Sequence, residues 1–454
     1  MQRLLLACAV LLVSLAASAQ DRNATDNVTL PDMGASADSI LSRKEEEEYA
    51  RSLLMQMRAY NVLIEDPQVA AYFSDMGYRL VAYSERPDKA FTFVVLNEEV
   101  VNAFAAPGGV IALFSGMILT ADDESEIAAV LAHEIAHITQ LHLYRTLEKT
   151  KAMSIPIALA MLGLVLAGGG SGDAIQGALV GGSAALQQAQ INFTRQHEAE
   201  ADRIGIRTLA QAGYNPDGMA EFFEKMNRVT RSAGKGPPEY LRTHPVNVSR
   251  IAEATDRALK MPRPEAASEL DFFLMQARLR ALVTDAPGKT LKFFDDRRRR
   301  ADISEEEAEA IEYGSAIALQ QKGDYAEARK ILDSLLAHRN HLAYELQLAD
   351  LDLASNDENA AIERLDNLYN AFPGNHAIVM QYGRALLHTR DKDRARKAED
   401  ILRQQLLTRG DDPLLQELYA QASNISGNRI RASEAIAEAY YLRGQVSEAI
   451  LQLT

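Results

Sequence analysis

The chain has 454 residues, 47% of them hydrophobic and 24% charged, with a formal net charge of −15. That length exceeds what one ordinary core organises, so two domains of about 200 residues each are expected, and the composition is that of a folded globular protein rather than a disordered one. The acidic balance argues against nucleic acid as a partner.

Residues 1–19 read as a secretory signal peptide: Arg3 supplies the positive start, Leu4 to Leu15 an apolar run, and Ala17-Ser18-Ala19 a small-residue cleavage pattern. The mature protein then begins near Gln20, and the periplasm is the expected compartment. The single cysteine, Cys8, lies inside this signal, so disulfides cannot hold the exported chain and its stability must come from packing. Residues 20–40 are polar and read as a disordered lead-in. Helical periodicity starts near Arg43, with the acidic Glu45 to Glu48 opening a helix to about Tyr60, and Asp66-Pro67 opening another to about Tyr83. Two strand candidates follow, Phe91–Leu96 and Gly109–Phe114, with Pro107-Gly108-Gly109 as the turn between them. A free strand edge here would let an extended peptide add its backbone to the sheet; an ordinary half-buried hairpin is the competing reading.

The most informative segment comes next. Asp122, Asp123, Glu124 and Glu126 place negative charge where a helix starts, and Ile127, Val130, Leu131, Ile135 and Ile138 recur at helical spacing. Inside that helix stands His133-Glu134-Ile135-Ala136-His137. Residues four apart differ by about 40° around a helix axis, so His133 and His137 share a face and can hold one metal ion. Glu134 lies about 100° away, placed to act on water at the metal rather than to ligate. Two such histidines suit zinc, whose catalytic sites use three protein ligands and keep one position open, so the reading is a zinc hydrolase with one ion per chain. His142, about 140° from His137, is expected to be structural.

Residues 152–186 contain two apolar stretches broken by Gly168-Gly169-Gly170-Ser171-Gly172. Each is shorter than the roughly 20 residues that span a bilayer. Three readings stand: a buried helical hairpin, a mobile lid, or a peripheral membrane contact. Some sixty residues after the first motif, Glu198 and Asp202 again sit four apart on one helix face, with Glu200 pointing about 200° away from Glu198 and His197 out of phase with Asp202. Glu198 is the candidate third ligand; Asp202 would accept the free ring N–H of a ligating histidine and fix its tautomer.

His133-Glu134-x-x-His137 followed by Glu198-x-x-x-Asp202 resembles the pattern of the M48 peptidase family, as does the stretch from Asn102 to Gly109 and on to Phe114-Ser115-Gly116-Met117. The resemblance covers essentially the whole mature chain. It is strongest to members that join the peptidase domain to helical repeats and act on outer-membrane β-barrel proteins in Gram-negative bacteria. It also implies that His244, in Leu241-Arg242-Thr243-His244-Pro245, reaches the active site. There His244 would stabilise the oxyanion of the tetrahedral intermediate, or bind zinc as a fourth protein ligand and so inhibit the enzyme; a loop histidine capping the next helix is the plain alternative.

From about Ala267 the pattern is helical throughout. Gly323-Asp324-Tyr325-Ala326-Glu327-Ala328 recurs in weaker form, with Ala328, Ala361 and Ala395 spaced 33 and 34 apart, the tetratricopeptide period. Later copies near Gly427 and Gly444 are less regular, and the last either packs back on the peptidase or belongs to a truncated sequence. The expectation is an α+β zincin-like metallopeptidase domain over 41–262, mostly helical with a small β-sheet, followed by an all-α tetratricopeptide-repeat solenoid over 267–454. By resemblance, the enzyme would act in quality control and assembly of outer-membrane β-barrel proteins. Unfolded or stalled forms of these proteins, and the barrel-assembly machinery, would bind through the repeats. The competing function is a chaperone or assembly adaptor in which the repeats do the main job and the metal site is largely closed.

Overall fold

The computed structural model describes residues 41–150, 195–232, 238–265 and 268–454. The signal-peptide and lead-in readings (1–19 and 20–40) and the lid, hairpin or membrane reading of 152–186 lie outside these residues. Among the described residues no helix is long and apolar enough to cross a membrane.

Local chemistry sets the first helices. Ser42 caps α1 (Arg43–Ala59) in a reciprocal capping box: its hydroxyl accepts from the Glu45 N–H, and the Glu45 carboxylate accepts from the Ser42 N–H at 2.8 Å. Asp66 caps α2 (Pro67–Val81), with Pro67 in the first turn where its missing N–H costs nothing.

Three strands follow rather than two: β1 (Thr92–Leu96), β2 (Ala103–Ala106) and β3 (Val110–Phe114), in the order β1-β3-β2. This corrects the sequence reading. The glycine turn joins β2 to β3 as an antiparallel pair, whereas β1 runs parallel to β3. The turn itself is where glycine is required, since Gly108 and Gly109 have φ of 76° and 80°, and a Cβ on Gly109 would lie 2.0 Å from the Ala90 carbonyl oxygen. The outer side of β1 is partly covered, because Ile64 donates to the Val95 carbonyl and Asn97 to that of Val62. Among the described residues no strand pairs with the outer side of β2.

After the short α3 (Ser115–Thr120), Asp123 caps α4 (Glu124–Thr139), its carboxylate accepting from the Glu126 N–H at 2.9 Å. Nearly every residue of α4 is buried, as befits a helix enclosed on all sides by the sheet, α2, α6 (Arg195–Gln211) and α7 (Asp217–Ser232). Contact with α6 is close: a Cβ on Gly205 would stand 3.2 Å from the backbone of Ala132 and His133. Leu141, at φ 55°, ends α4 in a left-handed turn from which α5 (His142–Thr150) sets off. The short α8 (Glu239–Thr243) ends at His244, and α9 (Val248–Ala258) is capped by Asn247.

The remaining helices, α10 (Leu270–Val283), α11 (Pro287–Arg298), α12 (Glu305–Lys322), α13 (Tyr325–His338), α14 (Leu342–Ala354), α15 (Glu358–Ala371), α16 (His376–His388), α17 (Lys392–Leu406), α18 (Pro413–Ser426), α19 (Arg429–Leu442) and α20 (Val446–Leu453), stack as a tetratricopeptide solenoid. The turns α12–α13, α14–α15, α16–α17, α18–α19 and α19–α20 each carry one residue in the left-handed region: Gly323, Asn356, Arg390, Gly427 and Gly444. The small residues expected at close helix contacts, Ala328, Ala361 and Ala395, are all fully buried.

The solenoid and the peptidase fold are not separate bodies on a string. Their apolar core is continuous from the sheet and α4 through α10, α12 and α14. Buried Arg278 of α10 donates to both carboxylate oxygens of Asp66, the cap of α2, at 2.9 and 2.7 Å, and to Gln347 of α14 at 2.9 Å. At the far end, Arg443 pairs with Glu65, and Arg58 of α1 donates to the carbonyls of Asp411 and Leu442. The last repeats therefore return to α1, as one of the two sequence readings had it.

Candidate metal centre

The spacing of His133 and His137 on α4 does what a helix dictates, bringing their Nε2 atoms to 3.0 Å from each other. Glu198 arrives from α6, its Oε2 3.5 Å from His133 Nε2 and its Oε1 3.4 Å from His137 Nε2. His244 arrives from the end of α8, its Nδ1 3.3 Å from His133 Nε2 and 3.2 Å from Glu198 Oε1. One ligand atom from each of these four residues lies within 4.8 Å of the others, and all four residues are buried. Glu134 stays outside that set, with its Oε1 3.5 Å from His244 Nε2.

Asp202, one turn after Glu198, places Oδ1 3.0 Å from His133 Nδ1 on the side of the ring away from the cluster. Sequence reasoning missed what holds these acids in place. Arg250 of α9 donates through Nε and Nη2 to the two oxygens of Asp202 at 2.7 and 2.8 Å, and through Nη1 to Glu198 at 2.8 Å and to the Pro245 carbonyl at 2.8 Å. This fork-on-carboxylate pairing fits Arg and not Lys. Its only trace in the sequence is indirect: two acids on one buried helix face require a cation from elsewhere.

The expectation that His142 is remote from the metal face also needs correction. The helix-wheel angle ceases to apply once Leu141 breaks α4, and the His142 ring swings back so that its Nδ1 lies 3.0 Å from His137 Nδ1. Its Nε2 lies 3.2 Å from Glu200, whose carboxylate also accepts from Arg145 at 3.0 Å. His197 stacks on His142 with ring centroids 4.5 Å apart and planes 9° apart.

Burial would depress the His133 imidazole, but the facing carboxylates of Asp202 and Glu198 overcome it and lift it to about 9. Burial and the neighbouring His133 push His137 well below its ordinary value. Burial would raise Glu198, yet His244, His133 and His137 together hold it far below the usual carboxylate range. Glu134 moves the other way, raised by burial against partial opposition from His244 and His133. The two carboxyls are thus driven apart: Glu198 is held as an anion suited to ligating a cation, and Glu134 is the more basic of the pair.

Imidazole and carboxylate donors converging in a dry pocket, with Asp202 and His142 each 3.0 Å from the far nitrogens of His133 and His137, fit a divalent metal ion. The model describing peptidase family M48 matches residues 67–258. The beta-barrel assembly-enhancing protease of Escherichia coli (strain K12) is 35% identical over 427 residues, which cover 94% of this chain and 86% of that protein. Its counterpart in Yersinia pestis is 36% identical over 93% of this chain and 86% of its own. The mitochondrial metalloendopeptidase OMA1 of Schizosaccharomyces pombe is 31% identical over 40% of this chain and 50% of its own. With a peptidase model spanning the metal cluster and full-length relatives at this level of identity, the chain belongs to peptidase family M48 and is a metallopeptidase.

Proposed function

We propose that this chain is an exported zinc endopeptidase that degrades or processes unfolded and stalled outer-membrane β-barrel proteins in the periplasm, with the repeats as a docking surface for those proteins and for the barrel-assembly machinery. The observation that carries the chemistry is the convergence of His133, His137 and Glu198, from two helices, on one buried point. Those three would hold one zinc ion, which when bound polarises the scissile carbonyl and makes water more acidic. Glu134 takes the proton of the attacking water and passes it to the leaving amine. Asp202 holds the ring of His133, and Arg250 holds Asp202. The outer side of β2, packed beside α4 and without a paired strand among the described residues, supports recognition of an extended substrate through its backbone rather than its sequence. Arg3, the apolar run to Leu15 and Ala17-Ser18-Ala19 support export. The names of the full-length relatives support the link to barrel assembly.

The position of His244 favours a fourth protein ligand that closes the site at rest over an oxyanion donor, because its Nδ1 lies among the other ligand atoms. Such a closed site is also the one observation that favours the adaptor reading. Replacing His244 with Ala separates the two. Cleavage of a urea-unfolded outer-membrane β-barrel protein by the purified chain is expected to speed up severalfold. Loss of cleavage would instead make His244 a transition-state group, and no cleavage by either zinc-loaded protein would leave the adaptor.

Because the facing carboxylates lift the His133 imidazole to about 9, this residue would have to release a proton for the site to hold zinc. Affinity is therefore expected to rise about tenfold per pH unit between about pH 6 and 8, measured by competition with a chelator, as one proton is released per ion. An affinity flat across that range would show that the carboxylates do not hold His133 charged in the metal-free site.

A further inference from the structure

Around His137 the described residues form a chain of groups whose proton positions are linked. His137 and His142 face each other through their Nδ1 atoms at 3.0 Å, so one nitrogen must carry the hydrogen and the other must accept it. If His137 gives its Nε2 lone pair to a metal, its hydrogen sits on Nδ1, and His142 Nδ1 is the acceptor. The single hydrogen of a neutral His142 then sits on Nε2, which lies 3.2 Å from Glu200 Oε2, a group that can only accept while ionised. Arg145 keeps Glu200 in that state, and His197, stacked on His142, fixes the plane of the ring. With His137 ligating through Nε2, these contacts assign the hydrogens to His137 Nδ1 and His142 Nε2, and the chain ends on an Nε2 lone pair aimed at His133 and Glu198.

We propose that His142 and Glu200 are positioning residues that set the tautomer and orientation of His137, as Asp202 does for His133. A ligating histidine ordinarily donates directly to a carboxylate or carbonyl. Here the carboxylate stands one imidazole further out, and α6 supplies it together with Glu198, so one helix delivers both a ligand and the support of another ligand. The inference rests on the metal-site reading of His133, His137 and Glu198.

The test measures zinc affinity by chelator competition, and thermal unfolding of the metal-free protein, for His142→Phe, His142→Asn and Glu200→Gln. His142→Phe keeps an aromatic ring against His197 but removes the acceptor, and is expected to weaken zinc binding about 10- to 100-fold. His142→Asn places an amide oxygen near the position of the lost Nδ1 and is expected to restore most of that loss. Glu200→Gln keeps an acceptor without the charge, and is expected to fall between His142→Phe and the unaltered chain. A filling role alone would show as a lower unfolding temperature of metal-free His142→Phe with zinc affinity intact, and that result would overturn the inference. So would a His142→Asn protein as weak as His142→Phe. Absence of zinc uptake by the unaltered chain would overturn the metal-site reading itself, and this inference with it.

Discussion

Replacing Glu134 with Gln lowers peptide-bond hydrolysis by about 10²- to 10⁴-fold, the contribution of a positioned general base, while zinc stays bound. Glu134 lies on the ligand helix but outside the cluster of donor atoms, so the substitution removes a proton acceptor without removing a ligand. Its buried carboxyl is shifted upward by desolvation, whereas Glu198 is held anionic by the imidazoles around it. The amide of Gln fills nearly the same volume, so the fold and the metal content are unaffected. Turnover of a fluorogenic unfolded substrate, measured alongside metal content, checks both halves. Undiminished cleavage by a zinc-loaded Glu134→Gln protein contradicts the role of Glu134 as base.

Replacing Arg250 with Ala is the second large effect. Its guanidinium is buried and serves Asp202 through two hydrogen bonds and Glu198 through a third. Removing it leaves two buried carboxylates short of a cation, a defect worth about 3–5 kcal/mol of stability when one partner of a buried ion pair is lost. Zinc affinity falls as well, because Asp202 no longer holds its place against His133 Nδ1. Arg250→Lys keeps the charge but not the fork, and recovers only part of the loss. Chemical unfolding of the metal-free protein reads the first effect and chelator competition the second. Unchanged values in both would mean that Asp202 and Glu198 are solvated rather than clamped.

The parts of the site legible in the sequence are those that a single helix positions. His133 with His137, and Glu198 with Asp202, each follow from four-residue spacing, which fixes a shared face without tertiary knowledge. What the sequence hid depends on where helices stop and meet. His142 came back to the site because Leu141 leaves the helix at φ 55°, and nothing local in Gln140-Leu141-His142 announces a left-handed residue there. Arg250 is an ordinary cation on an amphipathic helix until α9 packs on α6. The placing of His244 came from family resemblance and not from any periodicity.

The same division holds for the fold. The glycine turn was legible at the right residues, but β2 was not, because Ala103-Phe104-Ala105-Ala106 has little strand propensity of its own and becomes a strand by pairing with β3. The repeats were legible from their period, since the buried Ala328, Ala361 and Ala395 recur where helices pack closely. The clamp of Arg278 on Asp66 and the return of the last repeats to α1 join residues more than two hundred positions apart. No local pattern carries such contacts.

The central claim is that two imidazoles and one carboxylate from separate helices share a single zinc ion. Anomalous diffraction at the zinc absorption edge from crystals of the purified chain tests it most directly. One peak per chain is expected within about 2.0–2.2 Å of His133 Nε2, His137 Nε2 and a Glu198 oxygen. A peak elsewhere, or none after zinc loading, would contradict it.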